Sequence, residues 1–147
     1  MTEISSVIFS SCRKSAWAPI AVFLFYVIAA KGFNAYIIFP RFDIPTHFFG
    51  GLAICYFYLV NIFYFQKLTG DVPQLIQLIS AVGLTAISAV VWEFLEYGSD
   101  YFFVTKMNLG VADTLADLFF GLLGAFILVL IFVFTKKPVI NADLKNF

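Results

Sequence analysis

The sequence predicts an all-α integral membrane protein with four transmembrane helices and both termini on the cytoplasmic side. Three observations predict it. Of the 147 residues, 62% are apolar, 20% aromatic and 12% charged, with a mean hydropathy of +0.95, far from the composition of a water-soluble domain. The apolar residues fall into four runs, each near the roughly 20 residues that cross a bilayer. The basic residues are unevenly placed, although the formal net charge is +0.

The first run, about residues 17 to 38, follows Arg13 and Lys14, starts at Trp17 and carries Lys31 and Asn34 toward its far end. Arg13 and Lys14 before AWAPIAVFLFYVIAA resemble a signal peptide, but the run continues through AYIIF and has no clear A-x-A site. An uncleaved first span is therefore expected. The second run, about 44 to 66, follows Pro40 and contains Pro45 near its start. Gly70, Asp71 and Pro73 separate it from the third, about 74 to 98; Gly98, Ser99, Asp100 and Gly110 separate that from the fourth, about 112 to 135. Connections this short leave no room for a further folded unit, so residues 1–147 are expected to form a single transmembrane domain.

With four spans, Arg13, Lys14, Lys67, Lys136, Lys137 and Lys145 share one side of the membrane, and Arg41 and Lys106 the other. The positive-inside rule then puts the larger group in the cytoplasm and the connections between runs one and two, and three and four, outside. Cys12 and Cys55 sit at different expected depths and match no metal or disulfide pattern. The bilayer is the expected partner, and nucleic acid is not.

The acids carry the chemistry. Asp43, Glu93, Glu96, Asp100, Asp113 and Asp117, six of the nine in the chain, fall at the outward ends of runs two to four, with the one histidine, His47. Asp43 and His47 are spaced i,i+4, as are Asp113 and Asp117; Glu93, Glu96 and Asp100 follow at i, i+3 and i+7. Such spacings stack side chains on one helix face. Ala86 and Ala89, Gly50 and Gly51, and Gly121 and Gly124 continue these faces, and membrane helices pack closely where side chains are small. The acids are therefore expected to face one another. Asp43, Asp100 and Asp113 also suit plain helix-end roles. Lys31 either snorkels outward or pairs with Glu93 or Glu96. Trp92, Tyr97, Tyr101, Phe102 and Phe103 read as an interfacial aromatic belt.

Through DIPTHFFGG (43–51), WEFLE (92–96) and DTLADLFFGLLGA (113–125), the chain resembles the VanZ-like small membrane proteins and, more closely, the YjdF-type family. Ile44, Glu96 and Asp117 stand where the VanZ-like pattern has lysine, glutamine and asparagine, which favours the YjdF-type pattern. The resemblance implies a multi-pass protein of the bacterial inner membrane and brings no agreed mechanism.

Three function classes fit. The favoured one is a metal-assisted hydrolase or transferase on a lipid or envelope intermediate. Glu93, Glu96, Asp113 and Asp117 would hold Mg2+, Mn2+ or Ca2+, and His47, oriented by Asp43, would serve as general base or further ligand, with Lys31 and Asp100 in support. The second is a proton- or cation-coupled transporter, which with four spans per chain requires a homo-oligomer. The third is a binding or assembly module locked by a structural polar network.

Overall fold

A computed structural model describes residues 2–103, 105 and 107–135. Among these the chain is helical throughout its ordered elements, with no strand. Three helices are long and apolar enough to cross a membrane: α4 (Asp43–Thr69), α5 (Gln74–Phe103) and α6 (Val111–Thr135). Punctuation residues set their ends. Pro45 lies in the first turn of α4, where a missing N–H is tolerated; Gly70, at φ +84°, ends that helix, and Gly110, at φ +116°, precedes α6. Lys136, Lys137 and Lys145 lie outside the described residues, as does Lys106.

The first run departs from expectation at both ends. Helix begins at Glu3 rather than near residue 17: α1 (Glu3–Ser15) and α2 (Trp17–Val27) form a pair bent by 44°, and α2 continues as a π-helical turn over Ile28–Gly32. The pair passes as a fourth span if counted as one. Helix stops at Gly32 instead of reaching residue 38, because Asn34 adopts a left-handed conformation, φ +50°; Ala35–Ile38 forms a separate short turn, α3. Arg13 and Lys14 therefore sit at the bend between two helical pieces, not before the first one. Thr2 caps α1 by accepting from the Ser5 N–H.

What holds α1 is a polar seam. Val7, Ser11 and Ser15, spaced by four, are its buried face. The Ser11 hydroxyl donates to Asn61 Oδ1 at 2.7 Å, and Asn61 Nδ2 donates to Ser15 Oγ at 3.0 Å. Val7 joins Val60 and Tyr64 beside this seam. Asn61, polar in the middle of an apolar run, is thereby satisfied by partners from another helix.

The tightest packing is between α4 and α6. A Cβ built on Gly51 would lie 1.9 Å from the carbonyl oxygen of Gly121, and one built on Gly124 would lie 2.0 Å from that of Phe48. No side chain fits at either place, so the two backbones touch. Toward the far end of the bundle Cys55, Leu59, Leu78, Ala81 and Ala125 make an apolar core. Both cysteines are free. On the outer faces of α5 and α6, Ile79, Ile87, Phe94, Phe119 and Phe126 are exposed, as suits helices bounded by lipid.

Gly51→Ala is expected to destabilise the fold by about 1–3 kcal/mol, the usual range for overpacking. Gly50→Ala, where a Cβ meets nothing within 4 Å, should be neutral or stabilising by up to about 1 kcal/mol, since glycine weakens a helix interior. Unfolding titrations in mixed micelles distinguish the two, and equal stabilities would rule out the close backbone contact.

Candidate metal centre

The glycine contact fixes α4 against α6 so that His47, one turn before Gly51, stands beside Asp117, one turn before Gly121. The imidazole Nε2 lies 3.6 Å from Asp117 Oδ1 and 3.5 Å from Asp43 Oδ1. From α5, Glu93 and Glu96 close the third side. One ligand atom from each of His47, Glu93, Glu96 and Asp117 lies within 4.8 Å of all the others. A second group, Asp43, Asp113 and Asp117, meets the same criterion and shares Asp117. The site lies about 6–15 Å in from the helix ends, counting about 1.5 Å per residue.

Glu93 and Glu96 are each 7% exposed and Asp117 is 2% exposed. Among the described residues, the ion pair that reaches these three acids joins His47 to Asp117. One imidazole cannot balance this many carboxylates. Acids packed so closely share protons or bind a cation. Glu93 Oε2 is fully buried and has no hydrogen-bond partner, a costly state for a carboxylate oxygen. Two ligands facing each other across a cation at 2.0–2.6 Å are roughly 4–5 Å apart, which matches the spacing of the group.

The stripes expected from spacing thus come together, with some redistribution. Asp113 is not in the group with Glu93 and Glu96; besides its place near Asp43 it accepts from the Leu109 N–H at 3.0 Å, an N-terminal capping role. His47 joins the potential ligands themselves. Asp100 is engaged by the α5–α6 connection, accepting from the N–H groups of Met107 at 2.6 Å and Asn108 at 2.9 Å and from the Thr105 hydroxyl. Lys31 is exposed in the π-helical turn, and no ion pair joins it to Glu93 or Glu96.

Two contributions escaped the reading of the sequence. Trp92, assigned to the aromatic belt, donates from Nε1 to Glu96 Oε1 at 2.7 Å; the i,i+4 spacing was the available signal. Tyr36 donates to Asp43 Oδ1 at 3.1 Å. Burial and the neighbouring Asp43 push the Tyr36 phenol above its ordinary range, so it remains a donor. Nothing in the sequence signals Tyr36, because it reaches the site from a short turn beyond the break at Asn34.

Helical membrane spans around a buried histidine–carboxylate cluster define a polytopic membrane protein with a potential cation site. Residues 8–138 match the family described as "Predicted membrane protein (DUF2238)", and the chain belongs to that family. Neither the curated proteins nor the solved structures contain a match.

Trp92→Phe preserves an aromatic ring against Phe23, which lies 6.3 Å away in an edge contact, but removes the donor to Glu96. A loss of about 1–2 kcal/mol in stability is expected, whereas Tyr97→Phe, on an exposed position, should change nothing. Thermal unfolding of the two variants checks this.

Proposed function

We propose that the chain is a divalent-cation-dependent enzyme of the membrane, a hydrolase or transferase acting on a lipid-borne or other envelope intermediate. The observation that carries the reading is Glu93 Oε2, buried without a partner among acids that no lysine or arginine among the described residues pairs with. In this reading His47, Glu93, Glu96 and Asp117 hold the cation. The mixed set of carboxylates and one imidazole suits Mn2+ better than Mg2+ or Ca2+. A bound cation would polarise a phosphoryl or carbonyl oxygen and lower the pKa of a water.

The chain's own groups divide the remaining work. Asp43, itself held by Tyr36, faces the same imidazole nitrogen, Nε2, as Asp117, and in this reading the two carboxylates together set the orientation of the ring. Asp43 and Asp113, flanking Asp117, are within reach of a proton leaving the site. Trp92 fixes Glu96. Conduction is less well supported: Asn61, Tyr58 and Ser88, which lie farther along the bundle, hydrogen-bond one another or α1 rather than continuing the acidic cluster.

The same reading places the site on the extracytoplasmic side of a bacterial inner membrane. Lys67 lies in the last turn of α4, away from the site, and in the sequence Lys136, Lys137 and Lys145 come after α6, a distribution that agrees with the positive-inside rule. The likeness of the three motifs to VanZ-like and YjdF-type proteins points to the same compartment.

The test is Mn2+ binding by the purified full chain. Glu93→Gln and Asp117→Asn should each weaken binding by tenfold or more, with Asp71→Asn, at the opposite end of the bundle, unchanged. Wild-type affinity should rise with pH, because protons and the cation compete for the same oxygens. Equal metal content in wild type and a Glu93→Gln, Asp117→Asn double variant would refute the cation site.

A further inference from the structure

Beside the cluster lies a cavity of about 160 Å³ whose character changes along its length. At one end Asp43, His47 and Glu96 line it; away from them the lining is mostly apolar, with Pro19, Phe23, Ile54 and Ala89, and the Thr85 and Ser88 hydroxyls there are already bonded to the Ala81 carbonyl and the Tyr58 hydroxyl. Along α4 the lining runs from Asp43 to Ile54, about 16 Å of helix. The side walls are α2 and α5, which each pack on α4 but not broadly on each other; the edge contact of Phe23 with Trp92 bridges them. Ile20 and Leu24 on α2, and Val91 and Leu95 on α5, are exposed on the outer surface nearby. The seam is thus bordered by surface that faces hydrocarbon.

An apolar cavity of about 150 Å³ stays dry and takes a guest as large as benzene. One hydrocarbon chain supplies such a guest from the bilayer, while two chains side by side exceed the space. At the polar end the residues are acidic, so an anionic head is received through a cation and not by the side chains directly.

We propose that this seam seats the first carbons of a single hydrocarbon chain whose phosphate head lies at the cation held by His47, Glu93, Glu96 and Asp117; this rests on the cation reading above. The ligand class is a single-chain phosphate amphiphile, entering sideways between α2 and α5. A lysophosphatidate and a prenyl phosphate share that chemistry.

Trp92 lines the cavity and the chain has 2 tryptophans, so Trp17→Phe makes Trp92 the sole reporter. The full chain in nanodiscs with Mg2+ is titrated with chain-brominated lysophosphatidate, and unlabelled lysophosphatidate and farnesyl phosphate compete. Saturable quenching is expected, at least tenfold weaker after chelation, and the better competitor identifies the chain type. Gly50 lines the cavity and a Cβ there meets nothing. Gly50→Leu should therefore weaken the amphiphile at least tenfold and Gly50→Ala about threefold, with Mn2+ affinity within threefold of wild type. Gly83→Leu, outside the cavity, should match wild type. Non-saturable quenching, or equal affinity in wild type and both Gly50 variants, overturns the seam. Saturable binding that Gly50→Leu abolishes but chelation leaves unchanged overturns the phosphate-on-cation assignment, and with it the cation reading if Mn2+ also fails to bind.

Discussion

The backbone contact between α4 and α6 is the constraint on which the rest of the structure depends. With Gly51 against the Gly121 carbonyl and Gly124 against that of Phe48, the helices are closer than any side chain at those positions would allow. Close approach fixes rotation as well as distance. One turn from the contact, His47 and Asp117 consequently face each other at the same depth. Without that register, Asp117 would meet lipid or a different face of α4, and the carboxylates of α5 would have no imidazole opposite them.

The register also decides what the site costs. Ionisable groups at membrane depth are unfavourable by roughly 2.5–3.5 kcal/mol each on insertion scales, and here three nearly buried carboxylates share one imidazole. The rest of the bundle is conventional by comparison. The Cys55–Leu59–Leu78 core is apolar, and Asn61 is satisfied by two serines of α1. Among the described residues, the buried side-chain polar atom left without a partner is Glu93 Oε2. The proposed cation would supply the charge that this oxygen lacks.

Much of this was legible in the sequence, for identifiable reasons. The i,i+4 pairs Asp43/His47 and Asp113/Asp117, and the i,i+3 pair Glu93/Glu96, determine helix faces directly, and the small residues on those faces indicate which way they turn. Spacing within one helix says nothing about register between helices. It could not tell that Gly51 packs while Gly50 opens onto the cavity, nor that Asp113 falls in the group around Asp43 instead of that around Glu93. Residues 3–15 gave no apolar run, because serines and charges dilute an amphipathic helix whose buried face is itself partly serine. Tyr36 was hidden for a different reason: its position depends on a left-handed turn at Asn34, whose effect is conformational and leaves no periodic signature.

The central proposal is that the α4–α6 register assembles His47 and the carboxylates of α5 and α6 around a single cation. Pulsed electron paramagnetic resonance of the Mn2+-loaded full chain addresses it directly. One bound ion per chain with coupling to a single imidazole nitrogen, lost on His47→Ala, is the result the account predicts. Bound Mn2+ without nitrogen coupling, or with coupling that survives His47→Ala, would contradict it.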